Sequence, residues 1–514
     1  MKAIFRKRIE CRKRRIERRL DKCNFPDDLS QPMMQAPTPH YELAGRAIGT
    51  AYGGIGLIQQ LVQELELPQA INSRLHLFKI HLPYHESDHV LSLAYNALCD
   101  GHCLEDLEVR RQDEAYLSLL GAKRIPDPTT AGDFCRRFQP EHLQALHEAI
   151  DDSRRKIWAR QPDEFFDEAR LDADGTMVET GAECKQGIDV SYKGQWGYHP
   201  LAVTLANTGE VLRLINRSGN RPSHEGAAEQ FDQCITLCRE AGFRRIVLRG
   251  DTDFSQTQHL DRWHAQSDVR FLFGYDACIP LQILADDLPH SAWKTLERPA
   301  KYTVQTTPRA KPEPVKQPIV EARGYKNIRL LGECVAEMDY RPIACQRTYR
   351  MVVVRKDLEV SEPRQQRLID DYRYFFYITN DTDSSVEQIV FSANDRCQQE
   401  NVLAQLKAVR ALHAPVDNLT SNGAYMVMTS LAWNLKAWLA LRLPVVPGRW
   451  QEQHQQQKRM LLTMEFRTFL KNWLRIPCQV LSTGRRLVLR LLAWNHWQPV
   501  FFRLADALSH PLRY

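Results

Sequence analysis

Apolar residues recur with a helical period through the first third of the chain. Ile55, Ile58, Leu61, Val62 and Leu65 fall on one face of a helix with 3.6 residues per turn. Similar stripes continue to about residue 150. Each apolar stripe must be covered by another apolar surface, so these helices are expected to pack against one another. The pattern therefore predicts a helical N-terminal domain.

From about residue 170 the apolar pattern changes to the two-residue period of strands. The order of predicted elements is β-β-β-α-β-α-β, which is that of a ribonuclease-H-like core whose first part spans 168–277. In such a core the first and fourth strands lie side by side. The predicted strands are Arg170–Val178, Tyr198–Ala206, Val211–Arg217, Arg245–Arg249 and Arg270–Tyr275, and the helices are Glu225–Ala241 and Gln256–His264.

A proline-rich stretch interrupts this order and predicts a mostly β insertion at 278–380. Residues 381–442 return to a helical pattern and form the second part of the core, with one helix over Ser385–Leu412. A further helix at Ala424–Leu441 is apolar almost all round, so we expect it to be buried. The predicted fold class is mixed α/β: a ribonuclease-H-like core with a β insertion, an N-terminal helical domain and a basic C-terminal region at 443–514.

The formal net charge of +6 is unevenly distributed. Residues 1–22 hold eleven Lys/Arg against three Asp/Glu, and residues 442–514 hold twelve against three, so the middle of the chain is acidic. Basic ends around an acidic middle indicate phosphate-gripping arms that flank a carboxylate-bearing core. We interpret 1–43 as a basic arm and linker and 44–160 as a DNA-binding helical domain. A solubilising tail and a plain helical bundle are the alternatives.

The cysteines and the hydropathy narrow the class of protein further. The 13 cysteines are scattered, and Cys99 with Cys103, and Cys234 with Cys238, are spaced four apart. With His102 the first pair could hold zinc, but thiols buried on helices are the favoured interpretation. No run of eighteen apolar residues and no secretory leader pattern is present, so we expect a cytoplasmic, nucleoid-associated protein without a membrane span.

Three carboxylates stand at positions typical of a two-metal centre. Asp174 lies on the first predicted strand, Asp251 ends the fourth strand, and Glu400 lies on the helix after the insertion. Such carboxylates can bridge two Mg²⁺ ions roughly 3.5–4 Å apart and support in-line attack on a phosphodiester. Asp172 shares a strand face with Asp174, and Asp253 is an equivalent alternative to Asp251, so both choices stay open.

Two cations accompany the glutamate. Arg396 lies four residues before Glu400 and Lys407 seven residues after it, which places all three on one helix face. A carboxylate ligand would then be flanked by two side chains suited to phosphate.

A glycine-punctuated segment adds polar and aromatic side chains. Lys193, Tyr198 and His199 lie in it, and Arg217 and Asn220 follow in a second loop. These loops could approach a nucleic-acid backbone, with bases stacked on the aromatic rings. Hairpin turn chemistry explains the glycines equally well.

These residues resemble the DDE transposases of bacterial insertion sequences, in the group with an inserted β-domain (transposase DDE-domain group one). The resemblance covers about 44 to 500. Its most specific pieces are Leu171-Asp-Ala-Asp174-Gly-Thr, Tyr192-Lys-Gly-Gln-Trp-Gly-Tyr-His-Pro-Leu201, Arg217-Ser-Gly-Asn220, Leu248-Arg-Gly-Asp251-Thr-Asp-Phe254, Glu400-Asn-Val-Leu-Ala-Gln-Leu-Lys407 and Leu431-Ala-Trp-Asn-Leu435.

The resemblance implies that Asp174, Asp251 and Glu400 are the catalytic, metal-binding triad, with two Mg²⁺ ions that Mn²⁺ can replace. Relatives carry a tyrosine three residues before Arg396 that handles a flipped base at a hairpin end. Because this chain has Ala393 there, the formation of a hairpin intermediate stays open.

The implied reaction is cleavage of double-stranded DNA at the element ends, followed by attack of the freed 3′-hydroxyl on target DNA, by a homodimer assembled on the DNA. Two alternatives remain. One is a metal-dependent nuclease without strand transfer, and the other is an inactive DNA-binding relic.

Overall fold

The computed structural model describes residues 3–21, 48–79, 83–299, 327–361, 371–483 and 486–509. The predicted linker and much of the proline-rich part of the predicted insertion lie outside the described residues.

Helices lie before, between and after the strands of a mixed sheet in the described chain. Asp113 and Asp127 begin two of the early helices as N-caps, because each side chain accepts a first-turn N–H that has no partner inside the helix. The helices before the sheet are α1 (Ala3–Asp21), α2 (Ile55–Glu64), α3 (Leu67–Arg74), α4 (Glu86–Leu98), α5 (Asp106–Arg111), α6 (Glu114–Leu120), α7 (Pro128–Arg136) and α8 (Pro140–Trp158). Those that follow are α9 (Ala227–Ala241), α10 (Leu260–His264), α11 (Ile279–Asp286), α12 (Val386–Asp395), α13 (Cys397–Ala408), α14 (Leu419–Arg442), α15 (Gln451–Thr463), α16 (Phe466–Phe469) and α17 (Gln498–Ser509).

The strands form one large sheet and two small ones within the described residues. They are β1 (Ile48–Thr50), β2 (Ala169–Gly175), β3 (Val178–Glu179), β4 (Asp189–Val190), β5 (Trp196–Tyr198), β6 (Leu201–Leu205), β7 (Glu210–Ile215), β8 (Ile246–Gly250), β9 (Val269–Tyr275), β10 (Lys294–Thr295), β11 (Asn327–Tyr340), β12 (Tyr349–Ser361), β13 (Asp371–Thr379), β14 (Cys478–Thr483) and β15 (Arg486–Leu491). The large sheet runs β10-β11-β12-β13-β9-β8-β2-β6-β7, and the small ones are β3-β5-β4 and β1-β14-β15.

The first and fourth core strands, β2 and β8, are neighbours, as the sequence predicts. They pair in parallel, β8 pairs in parallel with β9, and β6 and β7 complete the other side in antiparallel pairing. The strand predicted over Tyr198–Ala206 is divided into β5 and β6. Pro200 lies between them and has no N–H to donate to a ladder.

The strands predicted for the insertion extend this sheet. β11, β12 and β13 form a long antiparallel meander, and β13 pairs with β9 through registers such as Phe376 beside Tyr275. The strands predicted for the insertion are therefore part of the same large sheet and are joined to it at β9.

Helix α14 is buried along almost its whole length, as its all-round apolar pattern predicts. A buried carboxylate joins it to the sheet and to α8: Glu210 on β7 accepts hydrogen bonds from Trp438 at 2.7 Å, Trp158 at 3.0 Å and Arg154 at 3.1 Å. Because a buried charge must be paired or hydrogen-bonded, this network fixes three elements together.

The cysteines spaced four apart are largely buried. Cys99, Cys234 and Cys238 are buried, and burial raises the pKa of each thiol. This agrees with helix-packed thiols rather than zinc ligands. In the described part of the chain no helix is long and apolar enough to span a bilayer.

Candidate active site

The carboxyl ends of two parallel strands bring Asp174 and Asp251 to the same edge of the sheet. β2 and β8 pair with Asp172 beside Arg249, so two residues further along lie Asp174, which is still paired with Ala202 of β6, and Asp251, which directly follows β8. Both side chains are half-buried.

Arg396 connects this edge to Glu400. Its Nη1 lies 3.4 Å from Asp174 Oδ2, and its Nη2 lies 3.3 Å from Glu400 Oε1. The Arg396 side chain is 13% exposed and that of Glu400 is 57% exposed, so the guanidinium lies inside the cleft and the glutamate at its rim.

The helix predicted over Ser385–Leu412 is interrupted at this point, which corrects the prediction of one continuous helix. α12 ends at Asp395 and α13 begins at Cys397, so Arg396 stands at the junction. Gln399, which sequence reasoning missed, anchors the first turn of α13. Its Nε2 donates to the carbonyl oxygens of Asp172 at 2.8 Å and Ala202 at 3.0 Å, and these long-range bonds hold the neighbouring Glu400 over the sheet.

The carboxylates share an environment poor in counter-charge. Burial raises the pKa of Asp174 to about 6, and the negative charges of Asp251 and Glu400 add to the rise while Arg396 opposes it. Burial also raises the pKa of Asp251, again with Arg396 opposing and with Asp253 and Glu400 adding to the rise. One arginine thus serves three carboxylates.

Asp172, the alternative to Asp174, is fully engaged elsewhere. Arg249 donates to both of its oxygens, with Nε at 2.6 Å and Nη2 at 2.9 Å, and both side chains are 1% exposed. Arg249 also donates to the Ser392 carbonyl at 2.7 Å, which ties β8 to α12. Asp172 is a structural ion-pair residue, and Asp174 is the aspartate of this strand that faces the cleft.

Asp251 and Asp253 also differ in their hydrogen bonding and in their exposure. Asp251 Oδ1 accepts the backbone N–H of Asp253 at 3.0 Å and caps the short 3₁₀ turn that follows β8. Asp253 is exposed on that turn. The electrostatic influence of Arg396 reaches Asp251, which favours Asp251 as the site residue.

The residues suit a hard divalent cation in donor type. Carboxylate oxygens are the ligands that Mg²⁺ and Mn²⁺ prefer. Among the described residues, however, no group of three or more His, Cys, Asp or Glu side chains is close enough to hold a metal ion. Arg396 accounts for this spacing, because its guanidinium lies between Asp174 and Glu400 and supplies the positive charge there.

Two residues predicted to contact DNA are structural instead. Tyr198 is fully buried, and its hydroxyl donates to the Gln186 carbonyl at 2.7 Å, so its ring cannot stack on a base. Arg217 is buried and binds the carbonyl oxygens of His199, Pro222, Ser223 and Glu225. Burial lowers the pKa of Arg217 to about 10. It organises the loop after β7.

The remaining predicted cations and polar residues lie closer to solvent. Lys193 is exposed, 5.3 Å from the ring of Tyr192, which is 91% exposed. Asn220 is exposed on the next loop. Lys407 Nζ donates to the Met177 carbonyl at 2.9 Å, in the turn that follows β2. The last contact brings a cation to the chain segment just beyond Asp174.

The His199 ring lies against Gly175, the residue that follows Asp174. A side-chain carbon placed on Gly175 would stand 2.9 Å from His199 Nε2, so only glycine lets this ring approach β2. His199 Nδ1 and the Arg221 carbonyl are 3.0 Å apart, and burial lowers the pKa of the imidazole. A neutral ring with Nδ1–H bonded to that carbonyl leaves Nε2 as an acceptor beside Gly175.

A cavity of about 490 Å³ opens beside Asp251 and Arg396. Tyr275, Tyr377 and Ala393 are among its lining residues, and they come from β9, β13 and α12. Sequence reasoning missed this aromatic wall, although the alternating aromatic residues of β13 were visible. The wall forms only because the insertion strands pair with β9.

The chain is similar to a known protein family and to a solved structure. Residues 37–511 match the family model described as transposase DDE domain group 1, which confirms the resemblance found in the motifs. A solved structure described as a cryo-EM structure of the piggyBac transposase synaptic complex with hairpin DNA is similar at 9% identity and a TM-score of 0.35, covering 91% of this chain and 89% of that chain. No curated protein matches the chain.

Proposed function

Because the chain belongs to the transposase DDE domain group 1 family, we propose that it is an active transposase that cuts DNA at the ends of an insertion sequence and joins the freed 3′-hydroxyl to target DNA. The observation that carries the proposal is that one arginine, Arg396, contacts Asp174 and Glu400 and acts electrostatically on Asp251, beside the carboxyl ends of adjacent parallel strands. Burial raises the pKa values of Asp174 and Asp251, and perturbed pKa values cluster at functional sites.

The order of the five core strands supports the same proposal. β7-β6-β2-β8-β9, with β2, β8 and β9 parallel, is the strand order we infer for a ribonuclease-H-like catalytic core. The β insertion, which follows β9 and precedes the helix that carries Glu400, enlarges the sheet on the β9 side.

Asp174, Asp251 and Glu400 are the residues that would hold Mg²⁺ or Mn²⁺. The bound ions would polarise phosphodiester oxygens and stabilise the attacking and leaving groups of an in-line displacement. The protein's own part is to keep the carboxylates ionised and to orient the DNA. Arg396 performs both tasks in this proposal: it neutralises the carboxylates before DNA binds, and it can exchange them for a backbone phosphate, with which a guanidinium forms strong paired hydrogen bonds.

Other side chains outline the DNA path. Lys193, Asn220 and Lys407 lie on the segments that follow or face β2, and His199 Nε2 offers an acceptor beside Gly175. The cavity lined by Tyr275 and Tyr377 offers aromatic surface next to Asp251. We expect the basic ends of the chain to bind backbone phosphates. We also expect a homodimer to form on paired element ends. The protein would act in the cytoplasm on nucleoid DNA.

The test is cleavage of duplexes that carry the ends of the element encoding this chain, with Mg²⁺ or Mn²⁺, by wild type and Glu400→Gln. Cleavage that is lost in Glu400→Gln while duplex binding is retained supports the proposal. Glu452→Gln, an exposed position on α15, removes the same charge and should cleave like wild type. Binding without cleavage by wild type in either metal would leave a DNA-binding relic.

Strand transfer is measured separately, with pre-cut ends that carry a free 3′-hydroxyl and a supercoiled target plasmid. Joined products establish transposition. End cleavage without any joined product would establish the nuclease alternative instead.

A further inference from the structure

A second cavity, of about 860 Å³, lies at the opposite end of the sheet from Asp174. Arg170 at the start of β2 and Thr208 in the turn between β6 and β7 line one side. The end of α8, the end of α14 and one face of α15 line the others. Since Asp174 is four residues along β2 from Arg170, the two sites are separated by roughly 13 Å of strand.

The cavity has an excess of positive charge. Arg160 and Arg442 both pair with Glu64, so one carboxylate serves two guanidinium groups. The single acidic lining residue is Glu164. The cationic lining residues are Arg160, Arg170, Arg442, Lys458 and Arg459.

Among the described residues, Lys458 is the cavity cation that is partly buried without counter-charge. Lys458 Nζ donates only to a neutral group, the Gln161 side-chain oxygen at 2.7 Å, and burial lowers the pKa of Lys458 to about 8. Arg170 is ion-paired with Glu168 at 3.7 Å and its side chain is 39% exposed, although its Nε has no hydrogen-bond acceptor. Arg459 forms no ion pair with a described side chain. A cation that is partly withdrawn from water without counter-charge, as Lys458 is, is costly, and an anion in the cavity would lower that cost.

Apolar side chains also line the cavity and form what we call its apolar wall: Ile157, Pro162, Phe165, Leu443 and Pro444. Phe165 packs against Trp158, with ring centroids 6.3 Å apart, which holds the phenyl ring in place. A ligand that fills the cavity must therefore combine anionic groups with a flat apolar part.

We propose that this cavity binds a nucleoside phosphate, with the phosphates against Lys458, Arg459 and Arg170 and the base against the apolar wall. The volume falls in the range of about 300–1,000 Å³ that is usual for small-ligand sites. The phosphates of a DNA end share this chemistry, but a concave cavity of this size favours the free nucleotide over a duplex. The site goes beyond the proposed transposition chemistry, because none of its residues belongs to the carboxylate cleft.

The test uses the full-length chain in EDTA, so that metal at the carboxylate cleft plays no part. Thermal unfolding and equilibrium dialysis are measured with ATP, inorganic phosphate and an unrelated duplex. ATP should raise Tm saturably, since a ligand of the folded state stabilises it by mass action. Lys458→Met should weaken ATP binding about tenfold or more, because a charge-assisted contact is lost.

Lys471→Met is the matched control, since it removes an exposed lysine of the same C-terminal region outside the cavity. It should bind ATP like wild type. Arg459→Gln, at an exposed position, provides a second cavity variant if Lys458→Met fails to fold. The absence of an ATP-dependent rise in the Tm of wild type overturns the proposal. A loss of ATP binding in Lys471→Met as large as that in Lys458→Met overturns it as well. An equal shift with inorganic phosphate, or full competition by the duplex, overturns the assignment to a nucleotide.

Discussion

Asp172 and Asp174 lie two residues apart on the same strand and on the same face, yet their surroundings differ. Asp172 is 1% exposed and receives two hydrogen bonds, at 2.6 and 2.9 Å, from an arginine that serves no other carboxylate in the described chain. Asp174 is 15% exposed and faces, at 3.4 Å, an arginine shared with Glu400. The Asp172–Arg249 pair is saturated, because each charge has its own partner. The Asp174–Arg396 pair is electrostatically incomplete, because one arginine is shared between two carboxylates.

This difference separates a structural carboxylate from a functional one. A saturated buried pair resists any change, because removal of one partner leaves the other charge unpaired. An incomplete pair keeps lone pairs available and raises the free energy of the ionised state, which a cation can lower. The comparison predicts that an Asp→Asn substitution lowers the stability of the fold at position 172 and raises it at position 174.

The largest expected effect is on catalysis. Asp174→Asn should lower the rate of end cleavage on the order of 10⁴-fold or more, as is typical when one member of a catalytic unit is removed. Asp253→Asn, at the exposed alternative position, should retain most of the rate. Rates from single-turnover gels with saturating protein measure both. Comparable loss in the two variants would contradict the assignment of the cleft.

The next effect is on stability. Asp172→Asn should destabilise the fold by about 3–5 kcal/mol, because Arg249 would remain buried without its counter-charge. Denaturant unfolding followed by tryptophan fluorescence measures the change. The double variant Asp172→Asn with Arg249→Met should recover much of the loss, since it removes the unpaired charge. If the single variant is as stable as wild type, the saturated pair has no structural role.

Asp174→Asn should change stability in the opposite direction and in a pH-dependent way. The pKa of Asp174 is raised from 3.8 to about 6, so the folded state binds more protons than the unfolded state between these values, and stability falls as pH rises through that window. The variant has no carboxylate to ionise. At pH 8 without metal it should be more stable than wild type by about 1–3 kcal/mol.

Most of that gain should be lost by pH 4, because wild-type Asp174 is then protonated in the folded state and the pH has come close to its unfolded-state pKa of 3.8. Thermal unfolding at pH 4, 6 and 8 measures the trend, with Asp253→Asn as a variant that should show no gain. A gain that is independent of pH would point to packing rather than to charge.

Local sequence pattern predicts a good part of this arrangement. Asp174 and Asp251 stand at the ends of strands whose alternation and order are readable, and parallel neighbours in such an order must place them together. The burial of α14 follows in the same way from its all-round apolar pattern. These features depend on local periodicity and on topology rules.

Features that depend on partners distant in sequence are not predictable in this way. Alternation alone places Asp172 and Asp174 on the same face, and only the presence of Arg249 on the adjacent strand distinguishes them. Tyr198 and Arg217 stand among glycines, as residues of exposed loops do, but tertiary contacts bury both. The break at Arg396 also has no periodic signal, because the apolar stripe continues on both sides of it.

The smallest effect, and the sharpest test of the incomplete pair, concerns Arg396. Arg396→Gln removes the positive charge that lies 3.3–3.4 Å from two carboxylates, so Mn²⁺ should bind about tenfold more tightly without DNA, by titration calorimetry. Lys407→Gln removes a cation of the same helix whose contact is the Met177 carbonyl, and it should leave the affinity nearly unchanged. Added duplex should raise the affinity of wild type for Mn²⁺ but not that of Arg396→Gln, because only wild type has the arginine that exchanges carboxylates for phosphate. Weaker Mn²⁺ binding by Arg396→Gln than by wild type would show that the arginine helps to build the metal site rather than occupying its place.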